Sequence, residues 1–313
     1  MEIGNKFIIN KKMQKYLQLV RWPNLLMIAL LQYLLRHALI GPILLFEEKG
    51  LLLTEFEFFI LVISCVLIAA GGYIINDVED LEIDAINKPE KKLIENQISK
   101  EKAINLYTAL TFLGVLGGFF LSYVKGYAYI GIIHLITAGM LYFYSTSYKC
   151  IPFLGNLIIS LLSALVVIIV IVPEPFAKDN PAVMLMIALY AFFSFITTLI
   201  REIVKDIEDI EGDRQHGCTT LAISLGQKKA KWISIILTFL IAGLLIYAQI
   251  FSRQWESLIP FLYICIFIDI PFFVLLRKLY KSENKSDFKK ASLWIKLIMF
   301  TGIISLAIFN FSF

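Results

Sequence analysis

Nine apolar runs dominate the chain, at residues 25–46, 56–76, 103–124, 127–147, 151–172, 182–200, 232–250, 258–276 and 293–311. Each is about 19 to 22 residues long, and about 20 residues of α-helix rise about 30 Å, the thickness of a bilayer's hydrocarbon core. Inside lipid a backbone must satisfy its own hydrogen bonds, which a helix does within one segment. The runs predict an all-α polytopic membrane protein with nine transmembrane helices, a single domain over residues 1–313. Of the 313 residues 58% are hydrophobic and 17% charged, whereas soluble domains carry about a quarter charged residues. Residues 1–21 are polar and basic, and the first run lacks a small-residue cleavage site, so it is expected to be a retained helix and not a signal peptide.

Positive charge orients the runs. With a cytoplasmic N-terminus, inner segments hold 23 of the 29 Lys and Arg residues, and outer loops hold only Lys49, Lys125, Lys178 and Arg253. This asymmetry predicts an N-terminus inside and a C-terminus outside, in a cell's inner membrane. The net charge of +4 is then a topology signal and implies no nucleic-acid partner. Segments 77–102 and 201–231 are long, lie inside and carry most of the acidic residues, so the chemistry is expected at the cytoplasmic face. Cys65, Cys150, Cys218 and Cys265 show no C-x-x-C spacing and are expected to be small buried hydrophobes. His37, His134 and His216 are isolated, and no glycine-rich phosphate loop or nucleophile elbow is present.

The chemistry is carried by an internal repeat. After the second run the chain reads Asp77-Val-Glu-Asp80-Leu-Glu-Ile-Asp84, and after the sixth Asp206-Ile-Glu-Asp209-Ile-Glu-Gly-Asp213. The duplication predicts two pseudo-repeated four-helix halves followed by a ninth helix. At about 100° per residue the three aspartates of each copy fall within a sector about 60° wide, while Glu79 and Glu82, or Glu208 and Glu211, fall on the other side. Three like charges on one helix face repel, and a divalent cation relieves that repulsion. The donors are hard oxygens, with Asn76 adding an amide oxygen one turn before Asp80, a set suited to Mg²⁺ with room for water and phosphate oxygens. Two such faces suit a diphosphate.

Cations accompany the repeat. Arg201 and Lys205 lie one turn apart leading into the second copy; Lys88, Lys91 and Lys92 follow the first; Lys149 follows Tyr144 and Tyr148. Arg201 is the strongest candidate for an anion ligand, the others also reading as inner-face anchors. In the first run Asn24, Gln32 and Arg36 form a slowly drifting polar stripe, and an arginine so deep in an apolar helix is expected to face protein, water or an anionic acceptor. Ala69-Ala-Gly-Gly72 permits close helix packing or close approach of a substrate.

These residues resemble the UbiA superfamily of intramembrane prenyltransferases. The resemblance rests on Asn76, Asp77, Asp80 and Asp84 as N-D-x-x-D-x-x-x-D and on Asp206, Asp209 and Asp213 as D-x-x-D-x-x-x-D. It extends to Arg21-Trp-Pro-Asn24, the Tyr144 to Lys149 segment, Gly155-Asn156, and the stretch from Thr219-Thr-Leu-Ala to Leu225-Gly226. It implies that Asn76 and the six aspartates bind Mg²⁺ and a polyprenyl diphosphate at the cytoplasmic mouth of a helical bundle. Asp80, Asp209, Arg201, Tyr144 and Lys149 would then serve catalysis, and Asn24, Arg36, Lys88, Lys91, Lys205 and Asn156 substrate binding.

Asp84-Ala-Ile-Asn87-Lys-Pro89 resembles the D-x-I-N-x-P of digeranylgeranylglyceryl phosphate synthases and chlorophyll synthase more than its counterparts in hydroxybenzoate or dihydroxynaphthoate prenyltransferases. The chain then departs, with Lys91-Lys-Leu-Ile-Glu-Asn96 where those relatives have R-P-(I/L)-P-S-G; Lys91 would replace an arginine as a point charge without a bidentate fork. The expected reaction is Mg²⁺-dependent prenyl transfer to an amphiphilic acceptor, favouring a prenylated glycerol phosphate over an aromatic quinone precursor. A cation transporter is the alternative of another class.

Overall fold

The structure, a computed structural model, describes residues 13–87, 93–251 and 258–310. It is all-helical there. A short helix α1 (residues 13–19) precedes α2 (Trp22–Leu34), which continues through a π-helical segment (Leu35–Ile40) into α3 (Gly41–Phe46). Next come α4 (Glu55–Glu79), α5 (Leu81–Asn87), α6 (Lys100–Lys125) and α7 (Tyr129–Thr146), then a 3-10 turn (Tyr148–Cys150). The chain continues with α8 (Leu154–Ile168), α9 (Pro175–Asp179), α10 (Pro181–Gln215), α11 (Leu221–Ser224) and α12 (Gln227–Phe251). It closes with α13 (Leu258–Ile264), a second π segment (Cys265–Asp269), α14 (Ile270–Lys281) and α15 (Lys285–Asn310).

Local chemistry sets these boundaries. Ser99 caps α6 by accepting from Lys102 N, and Gly126 ends it at φ 74°, a left-handed conformation open to glycine. Asn180 caps α10 by accepting from Val183 N at 2.9 Å, with Pro181 following it at the start of the helix. Each π segment ends two residues before a proline, Pro42 or Pro271. A proline removes one backbone donor and crowds the carbonyl four residues back, and the widened turn accommodates it.

Among the described residues eight helical stretches are long and apolar enough to cross a membrane. They correspond to eight of the nine expected runs. Run 151–172 forms only the 15-residue α8, and Ile169–Val172 turn instead of continuing the helix. The chain is an integral membrane protein. α10 has 35 residues and is about 52 Å long, so its apolar first part suffices to span and residues 201–215 form an extension carrying the second aspartate copy.

The described residues form two packing units, 13–29 with 55–148, and 30–54 with 149–310. The division does not follow the expected sequence halves, because residues 30–54 belong with the C-terminal helices. Gln32 Nε2 donates to Val166 O at 3.1 Å within that unit.

In the first unit α4 packs on α6 and α7 through small residues. A Cβ on Gly114 would lie 2.8 Å from Ser64 O, and one on Gly72 would lie 2.9 Å from Leu141 Cδ1. The Ala69-Ala-Gly-Gly72 stretch thus serves close helix packing. Leu19 of α1 is buried with Ile74, Val78, Ile94, Ile98 and Ala103, seating α1 against the end of α4 that carries Asp77.

In the second unit α10 is central, against α8, α12 and α15, around Ile200, Ile203, Phe272 and Ile298. Between α8 and α10, Ser163 Oγ lies 2.6 Å from Ser194 Oγ and accepts from Thr198 Oγ1 at 2.9 Å. Such hydroxyl pairs replace water for polar groups inside a bundle. The expectation for the cysteines is also corrected in part. Cys150 and Cys218 form a disulfide across a separation of 68 residues, while Cys65 and Cys265 are half-buried thiols outside it.

Candidate active site

The two aspartate copies lie in different packing units, one in each. In the first, α4 carries Asn76 and Asp77 past the apolar part of the helix. Backbone bonds from Asp80 N to Asn76 O (2.9 Å) and from Asp84 N to Asp80 O (2.7 Å) carry the helical spacing across the junction with α5. The expected segregation of faces is present. Asp77, Asp80 and Asp84 are half-buried, whereas Glu79 and Glu82 are exposed. Asn76 Nδ2 donates to Asp80 Oδ2 at 2.6 Å. Arg21 Nη2 donates to Asp77 Oδ1 at 2.6 Å, and its guanidinium lies over the Tyr73 ring with Cζ 4.9 Å from the centroid. Asn24 Nδ2 donates to Tyr73 Oη at 3.2 Å, completing a polar surround for Asp77. Burial works against the Arg21 charge, but Asp77, Tyr73 and Asp80 outweigh it and hold the guanidinium above its ordinary range.

In the second unit Asp206, Asp209 and Asp213 are half-buried on the unbroken α10; Glu211 is exposed but Glu208 is half-buried, so the expected segregation by exposure holds there for Glu211 alone. Asn156, buried near the start of α8, donates from Nδ2 to Asp206 Oδ2 at 2.9 Å. Arg201 Nη1 donates to Glu202 Oε1 at 2.7 Å, and Lys205 Nζ lies 3.9 Å from Glu202 Oε2. Glu202 is buried and holds both cations on the approach to the cluster. Lys149 lies beside Cys150, which is fixed to the segment after α10 by the disulfide and by bonds from Thr219 N and Oγ1 to Cys150 O, both 3.0 Å.

Other expected residues fall elsewhere. Arg36 is held by protein groups: its Nη1 lies 3.2 Å from Glu174 Oε1, both side chains are at most 3% exposed, and Nη2 donates to Leu53 O. Glu174 also accepts from the backbone N of Leu52 and Leu53. This buried pair lies past the opposite end of α8 from Asn156 and fastens the segment before α4, giving Arg36 a structural partner inside the protein. Tyr144 is half-buried near the end of α7, in the first unit. Lys88, Lys91 and Lys92 lie outside the described residues.

Sequence reasoning passed over Arg21 and Tyr73 as site residues, and over Glu202. The signal for Arg21 was present in Arg21-Trp-Pro-Asn24. An acid directly after Arg201 was the only signal for Glu202.

The donor set fits Mg²⁺. Among the described residues no three carboxylates, imidazoles or thiolates stand close enough to enclose a metal by themselves. Mg²⁺ does not require that, since it is usually held through one or two carboxylates and completes its shell with water and phosphate oxygens. Each copy offers half-buried carboxylates beside an amide that already orients one of them.

An all-helical membrane protein with duplicated aspartate faces at helix ends defines the class. The chain belongs to the UbiA prenyltransferase family, whose model matches residues 35–303. It is 37% identical over 294 residues to the digeranylgeranylglyceryl phosphate synthase of Saccharolobus solfataricus, covering 94% of this chain and 95% of that one. Its structure is similar to one described as "Structural and mechanistic insights into the biosynthesis of Digeranylgeranylglyceryl phosphate synthase in membranes", with TM-score 0.66, 27% identity, and 97% and 100% of the two chains covered. A UbiA homolog from Archaeoglobus fulgidus bound to DMAPP and Mg²⁺ shares the fold, with TM-score 0.56, 17% identity, and 94% and 99% covered. Membership in a family of prenyltransferases sets the transporter alternative aside.

Proposed function

We propose that this membrane prenyltransferase moves a geranylgeranyl group from its diphosphate to the free hydroxyl of a prenylated glycerol phosphate. The observation that carries this reading is the near full-length similarity to the Saccharolobus synthase, 37% identical across 95% of its length. The D-x-I-N-x-P sequence from Asp84 to Pro89 supports it over an aromatic acceptor.

Asn76, Asp77, Asp80 and Asp84, together with Asp206, Asp209 and Asp213, are the residues that would hold Mg²⁺. When bound, the metal supplies positive charge against which diphosphate departs. Asn156 keeps Asp206 turned to its task. Arg201 and Lys205, poised on Glu202, exchange that carboxylate for diphosphate oxygens, Arg201 through its fork. Lys149 adds charge, and Lys88, Lys91 and Asn24 contribute to substrate binding. Tyr144 offers a π face to the allylic carbon as it gains cation character. The acceptor oxygen forms the new ether C–O bond while the allylic C–O bond to diphosphate breaks, and the hydroxyl proton leaves with diphosphate or a carboxylate. No side-chain nucleophile takes part.

α8, though short, would be the ninth crossing, with the N-terminus and both aspartate copies on the cytoplasmic side and the C-terminus outside. The 23 basic residues assigned to inner segments support that orientation.

The test is incubation of the purified protein with Mg²⁺, labelled geranylgeranyl diphosphate and either geranylgeranylglyceryl phosphate, 4-hydroxybenzoate or 1,4-dihydroxy-2-naphthoate. The expected product is a di-ether glycerol phosphate from the first acceptor alone. Turnover of an aromatic acceptor with none of the lipid would overturn the reading.

A further inference from the structure

A groove of about 640 Å³ lies between α1 and the start of α6, within the first packing unit. One wall is Met13, Tyr16, Leu17 and Val20, spaced three or four residues apart and therefore on one helical face. The other wall is Lys102, Asn105, Leu106 and Leu110, again a single face. Polarity is graded along α6. Lys102 and Asn105 stand in its first two turns, and Leu106 and Leu110 follow as the helix runs into its apolar stretch, a rise of about 12 Å from Lys102 to Leu110. Among the described residues no acidic side chain lines the groove. Lys15 Nζ donates to Gln97 O at 2.6 Å, holding α1 to the segment before α6.

A cation and an amide at the mouth with a leucine-lined trough behind them match a phosphate-headed lipid, whose anionic head requires donors at the water end and whose chain requires apolar walls. Lys and Arg beside a membrane surface each attract anionic lipid, and a groove of several hundred cubic ångströms suits one bound molecule. We propose that this groove is a binding site for one anionic membrane phospholipid, its phosphate on Lys102 and Asn105 and a chain between α1 and Leu106 and Leu110. The bound lipid completes the packing of α1, and α1 leads directly into Arg21, the partner of Asp77. None of the prenyl-transfer residues named above lines the groove.

The experiment uses the full chain in nanodiscs of phosphatidylcholine carrying a small fraction of a photoactivatable probe, either phosphatidylglycerol or phosphatidylcholine with a diazirine in one chain. Cross-links are mapped by peptide mass spectrometry. The phosphatidylglycerol probe should label segments 13–20 and 102–110 several-fold more than the phosphatidylcholine probe. Lys102→Gln should lower that labelling about fivefold and Lys102→Glu further, the effect expected for one interfacial charge, with cross-links at other segments unchanged as the control for folding. Equal labelling by the two probes, or labelling indifferent to Lys102, would overturn the proposal. Displacement of the probe by equimolar geranylgeranylglyceryl phosphate would also overturn it, assigning the groove to the acceptor.

Discussion

Asn156 donates from Nδ2 to Asp206 Oδ2 at 2.9 Å, so a buried residue of α8 fixes the carboxylate that opens the second aspartate copy on α10. In the proposed reaction, where the resemblance had implied substrate binding, Asn156 acts instead by positioning Asp206. Groups that orient metal ligands typically contribute 10- to 100-fold in metal affinity or activity. Asn156→Ala is therefore expected to raise the Mg²⁺ concentration for half-maximal rate by about 10- to 100-fold. Titrating Mg²⁺ at saturating diphosphate measures this, and a loss of rate that added Mg²⁺ does not restore would mean that Asn156 acts on the substrate instead.

Arg36 and Glu174 make a different kind of prediction. Removing one partner from a buried ion pair leaves the other charge uncompensated, at a cost of about 3–5 kcal/mol, whereas replacing both with apolar residues is often close to neutral. Arg36→Met should lower the melting temperature in detergent sharply, and the double change Arg36→Met with Glu174→Leu should recover part of it. Turnover per folded molecule should stay near the wild-type value; a specific loss of turnover with normal melting would return Arg36 to the substrate.

Glu202 holds Arg201 and Lys205. Hydrogen bonds to charged groups contribute about 1.5–3 kcal/mol. Arg201→Lys keeps the charge and loses the fork, and is expected to reduce kcat/KM for the diphosphate by about tenfold or more. Steady-state kinetics with varied geranylgeranyl diphosphate checks it.

The disulfide between Cys150 and Cys218 fixes Lys149 near the end of α10. Peptide mapping without reductant should recover the linked pair, and reduction or Cys218→Ser should lower thermal stability. Free thiols at both positions in protein purified without reductant would contradict the pairing.

Much of this was legible in the residues, for identifiable reasons. Hydropathy reports partition into lipid, so it located the spanning helices well. It could not distinguish helix from turn at Ile169–Val172, which are as apolar as the residues before them but turn ahead of Pro173. Periodicity separated Asp80 from Glu79 and Asp209 from Glu211, because a helix end has a wet side and a packed side, but it did not foresee that Glu208 is half-buried like the aspartates. Arg36 was legible as costly, but its partner Glu174 lies 138 residues away, in a short stretch that hydropathy placed in an outer loop. The bond between Cys150 and Cys218 crosses 68 residues and leaves no mark in local spacing. Arg21 required the tertiary approach of α1 to α4 before its meeting with Asp77 could be seen.

In the proposed reaction the two aspartate faces, and not the acidic residues in general, handle the diphosphate. The most direct measurement compares Mg²⁺-dependent turnover of labelled geranylgeranyl diphosphate for Asp80→Asn and Asp209→Asn with that for Glu79→Gln and Glu211→Gln, all at matched folded concentration. Either aspartate change should reduce turnover by about 10²-fold or more, the scale on which charge stabilisation at a reacting centre operates, while the glutamate changes should leave it within about threefold. Equal losses from the two sets would show that the aspartate faces have no special part in handling the diphosphate.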